Sequence, residues 1–215
     1  MTGVQILVIA KRPLPGRVKT RLTPPYTPEQ AAGLARAALT DTLDTVAATP
    51  AVRRVVALDG PSGPYVPAGF DVVRQRGGGL DERLAHAFTD AYATSPAPAV
   101  LIGMDTPQVT PALLTGAARA LRTADAVLGP ADDGGFWLLA LRRPAPELLL
   151  GVPMSTPGTG EAQRNRLLRA GLRVATAPAL RDVDTAPDAE AVAAAAPGTH
   201  FAEAMARLRV PEPTP

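Results

Sequence analysis

The chain contains no cysteine, only two histidines and few aromatic residues, which make up 4% of its 215 residues. The absence of cysteine excludes disulfide bonds, zinc sites built from thiolates and cysteine nucleophiles. The two histidines, His86 and His200, lie far apart in the sequence. This separation argues against a histidine metal site and against a Ser-His-Asp triad.

Long apolar runs and a dominant sign of charge are also missing. No run approaches membrane-spanning length and no signal peptide is recognisable, so we expect a cytoplasmic protein without a membrane partner. The formal net charge is only +2, and no broad basic face with interleaved aromatic residues is visible, so we expect no nucleic acid partner. The length suits one domain, which we place at residues 1–210, followed by a disordered tail at 211–215.

Apolar runs alternate with helix-like segments, which predicts an α/β fold with a mostly parallel sheet. The strand-like runs lie at 4–9, 54–58, 70–73, 99–103, 126–129, 136–141 and 172–175. Two helix starts are marked by a threonine followed by a proline, at Thr27 and Thr110. Leu80, Leu84, Phe88 and Tyr92 recur at helical spacing and predict a helix packed against the core.

The loop after the first strand is the most informative segment. Residues 10–22 contain five cations and no anion: Lys11, Arg12, Arg17, Lys19 and Arg21. Ligands of open α/β sheets bind at the carboxyl ends of the strands. Lysine and arginine match phosphate oxygens in charge and in hydrogen-bonding geometry. The loop therefore indicates a polyphosphate ligand.

Carboxylates follow two later strands at the same predicted edge. Asp105 comes directly after the fourth strand, and burying a lone charge there is costly. Asp105 therefore either caps a turn or binds a divalent cation such as Mg²⁺, which prefers oxygen ligands. Asp182 and Asp184 follow the last strand and either cap a helix or supply a second carboxylate for that ion. We expect their side chains to point to opposite sides of an extended segment, so that only one of them faces the site.

Between these segments, Asp132 and Asp133 precede the paired glycines Gly134 and Gly135, after the fifth strand. The four residues either form a plain turn or allow the backbone to approach a ligand closely.

These motifs, in this order, resemble the GT-A superfamily of transferases. They are similar to a family classed only provisionally as glycosyltransferases and related to the phospholactate guanylyltransferases. A more distant similarity is to the molybdenum-cofactor guanylyltransferases. The matching segments are 10–16, 18–22, 103–107, 129–135 and 182–185, so the resemblance covers about residues 3 to 190.

The resemblance implies a Rossmann-like GT-A fold, with helices on both faces of the sheet and a short antiparallel part near Phe136. The nucleotide-binding residues that it implies are Ala10, Lys11, Pro15, Gly16, Lys19, Arg21, Gly134 and Gly135. It implies that Asp105 binds Mg²⁺ or Mn²⁺ together with Asp184 or, failing that, Asp182. The implied catalytic residues are Lys19, Arg21, Asp105 and Asp133.

The chain departs from the family pattern in two places. Residues 79–83 read Gly-Leu-Asp-Glu-Arg where relatives have an acidic residue first and glycine third. Met154 stands where relatives have a tryptophan before the acceptor-side Ser-Thr. The second departure removes an aromatic platform for the acceptor.

Three functions remain open at this point. The leading hypothesis is nucleotidyl transfer from a nucleoside triphosphate to a phosphate or carboxylate of a small metabolite, which needs no general base because the acceptor is already ionised. The alternative is glycosyl transfer from a nucleotide-sugar, for which Asp132 or Asp133 would act as the base. A lesser alternative is a non-catalytic nucleotide-binding protein. Whether the chain forms a homodimer is left open.

Overall fold

The structure is a computed structural model that describes residues 3–209, and the predicted tail at 211–215 lies outside this range. The strands are β1 (Gln5–Lys11), β2 (Arg53–Asp59), β3 (Asp71–Arg74), β4 (Ala99–Ile102), β5 (Ala126–Pro130), β6 (Phe136–Leu141) and β7 (Val174–Thr176). The α-helices are α1 (Pro28–Ala48), α2 (Leu80–Thr94), α3 (Pro111–Ala120), α4 (Thr159–Arg169), α5 (Ala186–Ala195) and α6 (His200–Arg209). Short 3-10 helices at Thr20–Leu22 and Pro146–Leu148 lie in the loops after β1 and β6.

The strands form one sheet in the order β3-β2-β1-β4-β6-β5-β7. β6 pairs antiparallel with β4 and with β5, whereas the other neighbouring strands pair in parallel. This arrangement confirms the predicted α/β class, with its mostly parallel sheet and short antiparallel part. It also brings the carboxyl ends of β1, β4, β5 and β7 to one edge of the sheet.

Alternating residues of β1 pack on opposite faces of this sheet. Ile6 and Val8 belong to a core that includes residues of α1 and α3. Leu7 belongs to a second core, which includes residues of α2 and α4. Successive strand residues point to opposite faces, so the unbroken apolar sequence of β1 requires helices on both faces, as expected.

Both predicted helix starts are confirmed. The Thr27 hydroxyl accepts the Gln30 N–H, and the Gln30 side chain accepts the Thr27 N–H, which forms a capping box at α1. The Thr110 hydroxyl accepts the Leu113 N–H at α3. In α2 the middle of the predicted apolar stripe, Leu84 and Phe88, is buried. Leu80 is 41% exposed at the helix N-terminus, and Tyr92 is half-buried.

A third layer of helices packs on the outer side of α1. We call its apolar contact the outer cluster, formed by Leu22, Ala31, Leu34, Ala38, Val183, Ala189, Val192, Phe201 and Met205. Leu22 lies in the loop after β1, and Val183 lies in the loop after β7. The outer cluster therefore holds two loops that are distant in sequence against the same helix.

Asp41 of α1 fixes the start of α6. Its two carboxylate oxygens accept the N–H groups of His200 and Phe201, each at 2.8 Å. Burial raises the pKa of the Asp41 carboxyl, and the two backbone hydrogen bonds partly oppose this rise. Within residues 3–209, no helix is long and apolar enough to cross a membrane.

Candidate functional site

Lys19 lies at the centre of a charged cluster at the carboxyl edge of the sheet. Its Nζ donates to Asp105 Oδ2 at 2.9 Å and to Asp184 Oδ1 at 3.1 Å. Arg21 Nη1 donates to the other oxygen of Asp184 at 3.1 Å. The Lys19 side chain is only 11% exposed, whereas that of Arg21 is 69% exposed. The structure thus brings together four residues that the sequence proposed for one site.

The backbone of Lys19 is held in a left-handed conformation, with φ 48° and ψ 40°. This conformation costs a residue with a Cβ atom about 1–2 kcal/mol, so surrounding contacts must maintain it. Val18 and Leu22, on either side, are buried. The two ion pairs hold the side chain, and packing of its neighbours holds the main chain.

Two hydrogen bonds join the loop after β4 to the loop after β7. The Val183 N–H donates to the Asp105 carbonyl oxygen at 2.9 Å. The Gln108 side-chain amide donates to the Arg181 carbonyl oxygen at 2.6 Å. The side chain of Val183 is buried in the outer cluster. This packing fixes where the residues on either side of Val183 lie relative to Asp105.

Asp182 and Asp184 both contribute to the site, so the expectation that only one of them would face it is wrong. Asp184 pairs directly with Lys19, and Asp182 lies close enough to Lys19, Asp105 and Asp184 for their charges to act on it. The physical reason is the spacing, because residues two positions apart in an extended chain project to the same side. Only the residue between them, Val183, points into the core.

Asp182 is the least satisfied carboxylate of the cluster. Its Oδ1 is buried and has no hydrogen-bond partner among the residues that the structure describes. Burial raises the pKa of the Asp182 carboxyl to about 8, and the negative charges of Asp105, Asp133 and Asp184 act in the same direction, while Lys19 opposes them. An unpartnered buried carboxylate oxygen is costly, and a cation would compensate it.

The loop at 131–135 lies beside the cluster. Asp133 is near enough to influence Asp182, and its Oδ1 accepts the Gly135 N–H at 2.8 Å. Asp132 forms an ion pair with Arg181 at 3.2 Å. Neither carboxylate is therefore free of a partner.

Gly134 has a packing role that the sequence did not reveal. Its φ is +86°, and a Cβ atom there would collide with the carbonyl oxygen of Pro157. Its own carbonyl oxygen accepts the Gly160 N–H at 2.8 Å. The loop after β5 thus packs directly, backbone against backbone, on the first turn of α4. Whether Gly134 and Gly135 also bind a nucleotide stays a prediction.

The other proposed nucleotide-binding residues line the loop after β1. Ala10 is buried at the end of β1, whereas Lys11, Pro15 and Gly16 are exposed. Pro15 lines the groove between α1 and α6. Gly16 has a φ of +69°, which permits the sharp turn of the loop.

Three cations of this loop have no carboxylate partner within residues 3–209. They are Lys11, Arg12 and Arg17, and all three are exposed. Exposed cations beside a buried, ion-paired Lys19 leave positive charge available to an incoming anion.

Gln75 is a site-edge residue that the sequence analysis missed. Its Nε2 donates to the carbonyl oxygens of Ala10, at 2.8 Å, and Ala57, at 2.9 Å. It follows β3 and so reaches across the ends of β2 and β1. No local signal marks this role, because it depends on the order of strands in the sheet. Arg83, which pairs with Asp59 at 2.9 Å, lies beside it.

The donor set of the cluster fits a hard divalent cation that is shared with a substrate. Three carboxylates surround the Lys19 ammonium, those of Asp105, Asp182 and Asp184. When all of these groups are ionised, the carboxylates carry more negative charge than the ammonium compensates. No group of three or more acidic or histidine side chains among residues 3–209 is arranged to hold a metal ion by itself. Mg²⁺ commonly binds through one or two carboxylates plus substrate phosphates. The geometry matches this second arrangement and not an all-protein cage.

The fold is shared with solved nucleotide-using transferases. A candidate nucleotide-diphospho-sugar transferase from Desulfovibrio desulfuricans G20 is 26% identical, with a TM-score of 0.87, and the match covers 96% of this chain and 95% of that one. CMP:2-keto-3-deoxy-manno-octonic acid synthetase complexed with CTP is 15% identical, with a TM-score of 0.58 and coverage of 96% and 99%. Rv0371c from Mycobacterium tuberculosis H37Rv in complex with manganese is 22% identical, with a TM-score of 0.53 and coverage of 89% and 97%.

No curated protein matches the chain. A family model does match it, over residues 41–156, and this family is described as "Uncharacterized protein conserved in bacteria (DUF2064)". The matched range begins in α1 and ends before α4, and it includes Asp105, Asp132 and Asp133. Because the match spans more than half of the sequence, the chain belongs to the DUF2064 family.

Proposed function

We propose that the chain is a divalent-metal-dependent transferase that uses a nucleotide donor. One observation carries the proposal: Lys19 from the basic loop meets Asp105 and Asp184, which are 86 and 165 residues away in sequence, at one edge of the sheet. Cations for phosphates and carboxylates for a metal are the two components that binding a metal-chelated polyphosphate requires. The solved structure with 26% identity supports a nucleotide donor.

Asp105 and Asp184 are the proposed metal ligands, with Asp182 as the alternative to Asp184. All are carboxylates, which suits Mg²⁺ or Mn²⁺, and the manganese complex of the mycobacterial protein supports a divalent ion on this fold. When bound, such an ion neutralises charge on the donor phosphates and on the departing group.

The basic loop binds the donor phosphates in this proposal. Lys11, Arg12 and Arg17 are exposed and need no release from a carboxylate before they meet an anion. Lys19 and Arg21 lie closest to the carboxylates and therefore contact the phosphates nearest to the metal. Backbone at Ala10, Gly16 and Gly134 lines the same edge. Positioning and charge compensation by these groups are the main contributions that phosphoryl chemistry needs.

The leading reaction is nucleotidyl transfer to a phosphate or carboxylate of a small metabolite. Such an acceptor is already ionised at neutral pH, so no residue has to remove a proton. Nucleotidyl transfer therefore needs no free carboxylate as a base. This agrees with the structure, in which both nearby carboxylates have partners, since Asp132 pairs with Arg181 and Asp133 accepts the Gly135 N–H. The resemblance to guanylyltransferases favours the same reaction.

Glycosyl transfer from a nucleotide-sugar is the second candidate. It is favoured by the similarity to the candidate nucleotide-diphospho-sugar transferase. An inverting enzyme would need Asp132 or Asp133 as the base that deprotonates a sugar hydroxyl. One of these carboxylates would first have to leave its present partner.

The product distinguishes the two reactions. The protein is incubated with Mg²⁺ or Mn²⁺, a metabolite extract and either each nucleoside triphosphate or each nucleotide-sugar. Release of pyrophosphate supports nucleotidyl transfer, and release of a nucleoside diphosphate from the sugar donor supports glycosyl transfer. Tight donor binding without either product would contradict catalysis and support the non-catalytic alternative. Turnover that survives EDTA would contradict the metal requirement.

A further inference from the structure

Lys19 occupies the position between the two proposed metal ligands. Its ammonium nitrogen lies 2.9 Å from Asp105 Oδ2 and 3.1 Å from Asp184 Oδ1. The side chain is 11% exposed, and the two carboxylates are about one-third exposed. The ammonium-bearing side chain is thus the most buried of the three.

A divalent cation cannot bind Asp105 Oδ2 and Asp184 Oδ1 while this ammonium lies between the same two oxygens. Mg²⁺ needs oxygen ligands at about 2.0–2.1 Å, a distance at which a neighbouring ammonium between the same oxygens would be strongly repelled. Lysine is suited to leaving, because its charge sits at the end of a flexible four-carbon chain. Its only other charge contacts within residues 3–209 are with the same acidic cluster.

We propose that Lys19 is a stand-in cation, which holds Asp105 and Asp184 in place until the metal displaces it. This inference rests on the proposed function, which assigns the two aspartates as metal ligands. Displacement frees the ammonium for the donor phosphates beside the site. When the metal binds alone, Lys19 therefore loses two ion pairs. When the metal binds together with a polyphosphate, contacts between Lys19 and the phosphates replace those ion pairs.

The neighbouring cations differ from Lys19 in ways that make it the displaced group. Arg21 contacts only the other oxygen of Asp184, Oδ2, and is 69% exposed, so it does not bridge the two carboxylates as Lys19 does. Lys11, the only other lysine of the chain, forms no ion pair in the described part of the chain. Each therefore provides a control in which one positive charge is removed without vacating the position between the carboxylates.

The test measures binding of Mn²⁺ alone, without nucleotide, by calorimetry and by the electron paramagnetic resonance signal of free Mn²⁺. Lys19→Met should bind Mn²⁺ about tenfold or more tightly than the native protein, within the usual range of coupling between sites. Lys19→Gln, which keeps a polar group without charge, should do the same and guards against misfolding of the first variant. Lys11→Met should change the affinity by less than about threefold, since it removes only an exposed charge that forms no ion pair within residues 3–209. Arg21→Gln removes an exposed partner of Asp184, so it should tighten Mn²⁺ binding by less than the two Lys19 variants do.

Each other outcome has a defined meaning. If Lys19→Met and Lys19→Gln bind Mn²⁺ no more tightly while Asp105→Asn loses binding, the metal site stands and the stand-in role is refuted. If Arg21→Gln tightens binding as much as Lys19→Met does, the effect is one of net charge and the inference is also refuted. If neither the native protein nor any variant binds Mn²⁺, even with tripolyphosphate present, the proposed function fails and the stand-in role fails with it.

Discussion

Two charged clusters lie at opposite edges of the same sheet, and they differ in whether their charges are satisfied. At the carboxyl edge, one ammonium, that of Lys19, faces Asp105, Asp182 and Asp184. At the other edge, one carboxylate, that of Asp125, faces Arg142 at 3.3 Å and Arg173 at 3.0 Å. In the first cluster Asp182 Oδ1 is buried without a hydrogen-bond partner among residues 3–209, whereas in the second both oxygens of the Asp125 carboxylate accept from Arg173.

The second cluster is complete without a ligand. Besides its ion pair, the Arg142 guanidinium donates to the carbonyl oxygens of Leu121 and Ala124. Asp125 also accepts the Arg173 backbone N–H, at 3.1 Å. Each of the three charged groups has a partner of opposite charge, and the contacts join the starts of β5 and β7 to the end of β6. Such a cluster stabilises the structure and leaves nothing for a substrate to bind.

The cluster at the carboxyl edge is incomplete by the same standard. Asp182 Oδ1 is buried without a partner, and the exposed cations of the nearby loop have no carboxylates. Incomplete compensation of charge at this edge of the sheet favours the functional site that we propose over a purely structural cluster. The comparison can be tested by removing the central or bridging group of each cluster in turn.

Substitution of the two aspartates should give the largest contrast. Asp105→Ala should lower metal-dependent turnover about 1,000-fold, because a metal ligand contributes several kcal/mol of charge stabilisation. Its thermal unfolding should change little, since Lys19 keeps Asp184 as a partner. Asp125→Ala should retain turnover and unfold at a lower temperature. Product release and circular dichroism melting measure the two effects. Full activity of Asp105→Ala would refute the assignment of Asp105 to the metal.

Two glycines, one near each cluster, provide a second contrast. Gly134 and Gly171 have φ values of +86° and +75°, but only Gly134 has atoms in the way of a Cβ, whereas Gly171 has none within 4 Å. Gly171→Ala should cost about 1–2 kcal/mol of unfolding free energy from backbone strain alone. Gly134→Ala should cost roughly 1–3 kcal/mol more because of the collision with Pro157. Urea unfolding measures both losses of stability. Equal losses would show that the contact with Pro157 rearranges without a further loss of unfolding free energy.

The sequence predicted where the strands lie better than it predicted which strands are adjacent in the sheet. Each of the seven apolar runs became a strand, with boundaries that moved by at most two residues, because an apolar run is a local feature of the sequence. The order of the strands is not encoded locally, and the role of Gln75 depends on that order. The same holds for the outer cluster, in which Leu22 and Val183 meet only after α5 and α6 have packed on α1.

The sequence identified the residues of the charged cluster, but it did not predict which of them contact one another. Lys19, Asp105 and Asp184 were identified from motifs at strand ends, which are local features. That Lys19 lies between the two aspartates depends on packing of segments up to 165 residues apart. That Asp182 and Asp184 face the same side follows from the alternation of side chains in an extended segment, which is a local rule.

The smallest expected effect concerns the pH dependence of the complete cluster. Hydrogen bonds from the Arg173 side chain, then its backbone N–H, together with the charge of Arg142, hold the pKa of Asp125 below its ordinary value of 3.8. A carboxyl whose pKa is lower in the folded state adds stability above pH 3.8, and this contribution disappears as the pH falls through the folded value. The difference in unfolding free energy between the native protein and Asp125→Asn should therefore be largest at neutral pH.

The difference between these two proteins should shrink on acidification below about pH 3.8, and urea unfolding at several pH values measures it. Asp71→Asn is a matched control, because Asp71 forms an ion pair with Arg53 but has a single cationic partner. It reports what the loss of one exposed ion pair does by itself. If the difference in unfolding free energy between the native protein and Asp125→Asn stays constant from neutral to acidic pH, the carboxylate charge does not stabilise this edge of the sheet. The contrast between a complete and an incomplete cluster would then rest on hydrogen bonds and not on charge.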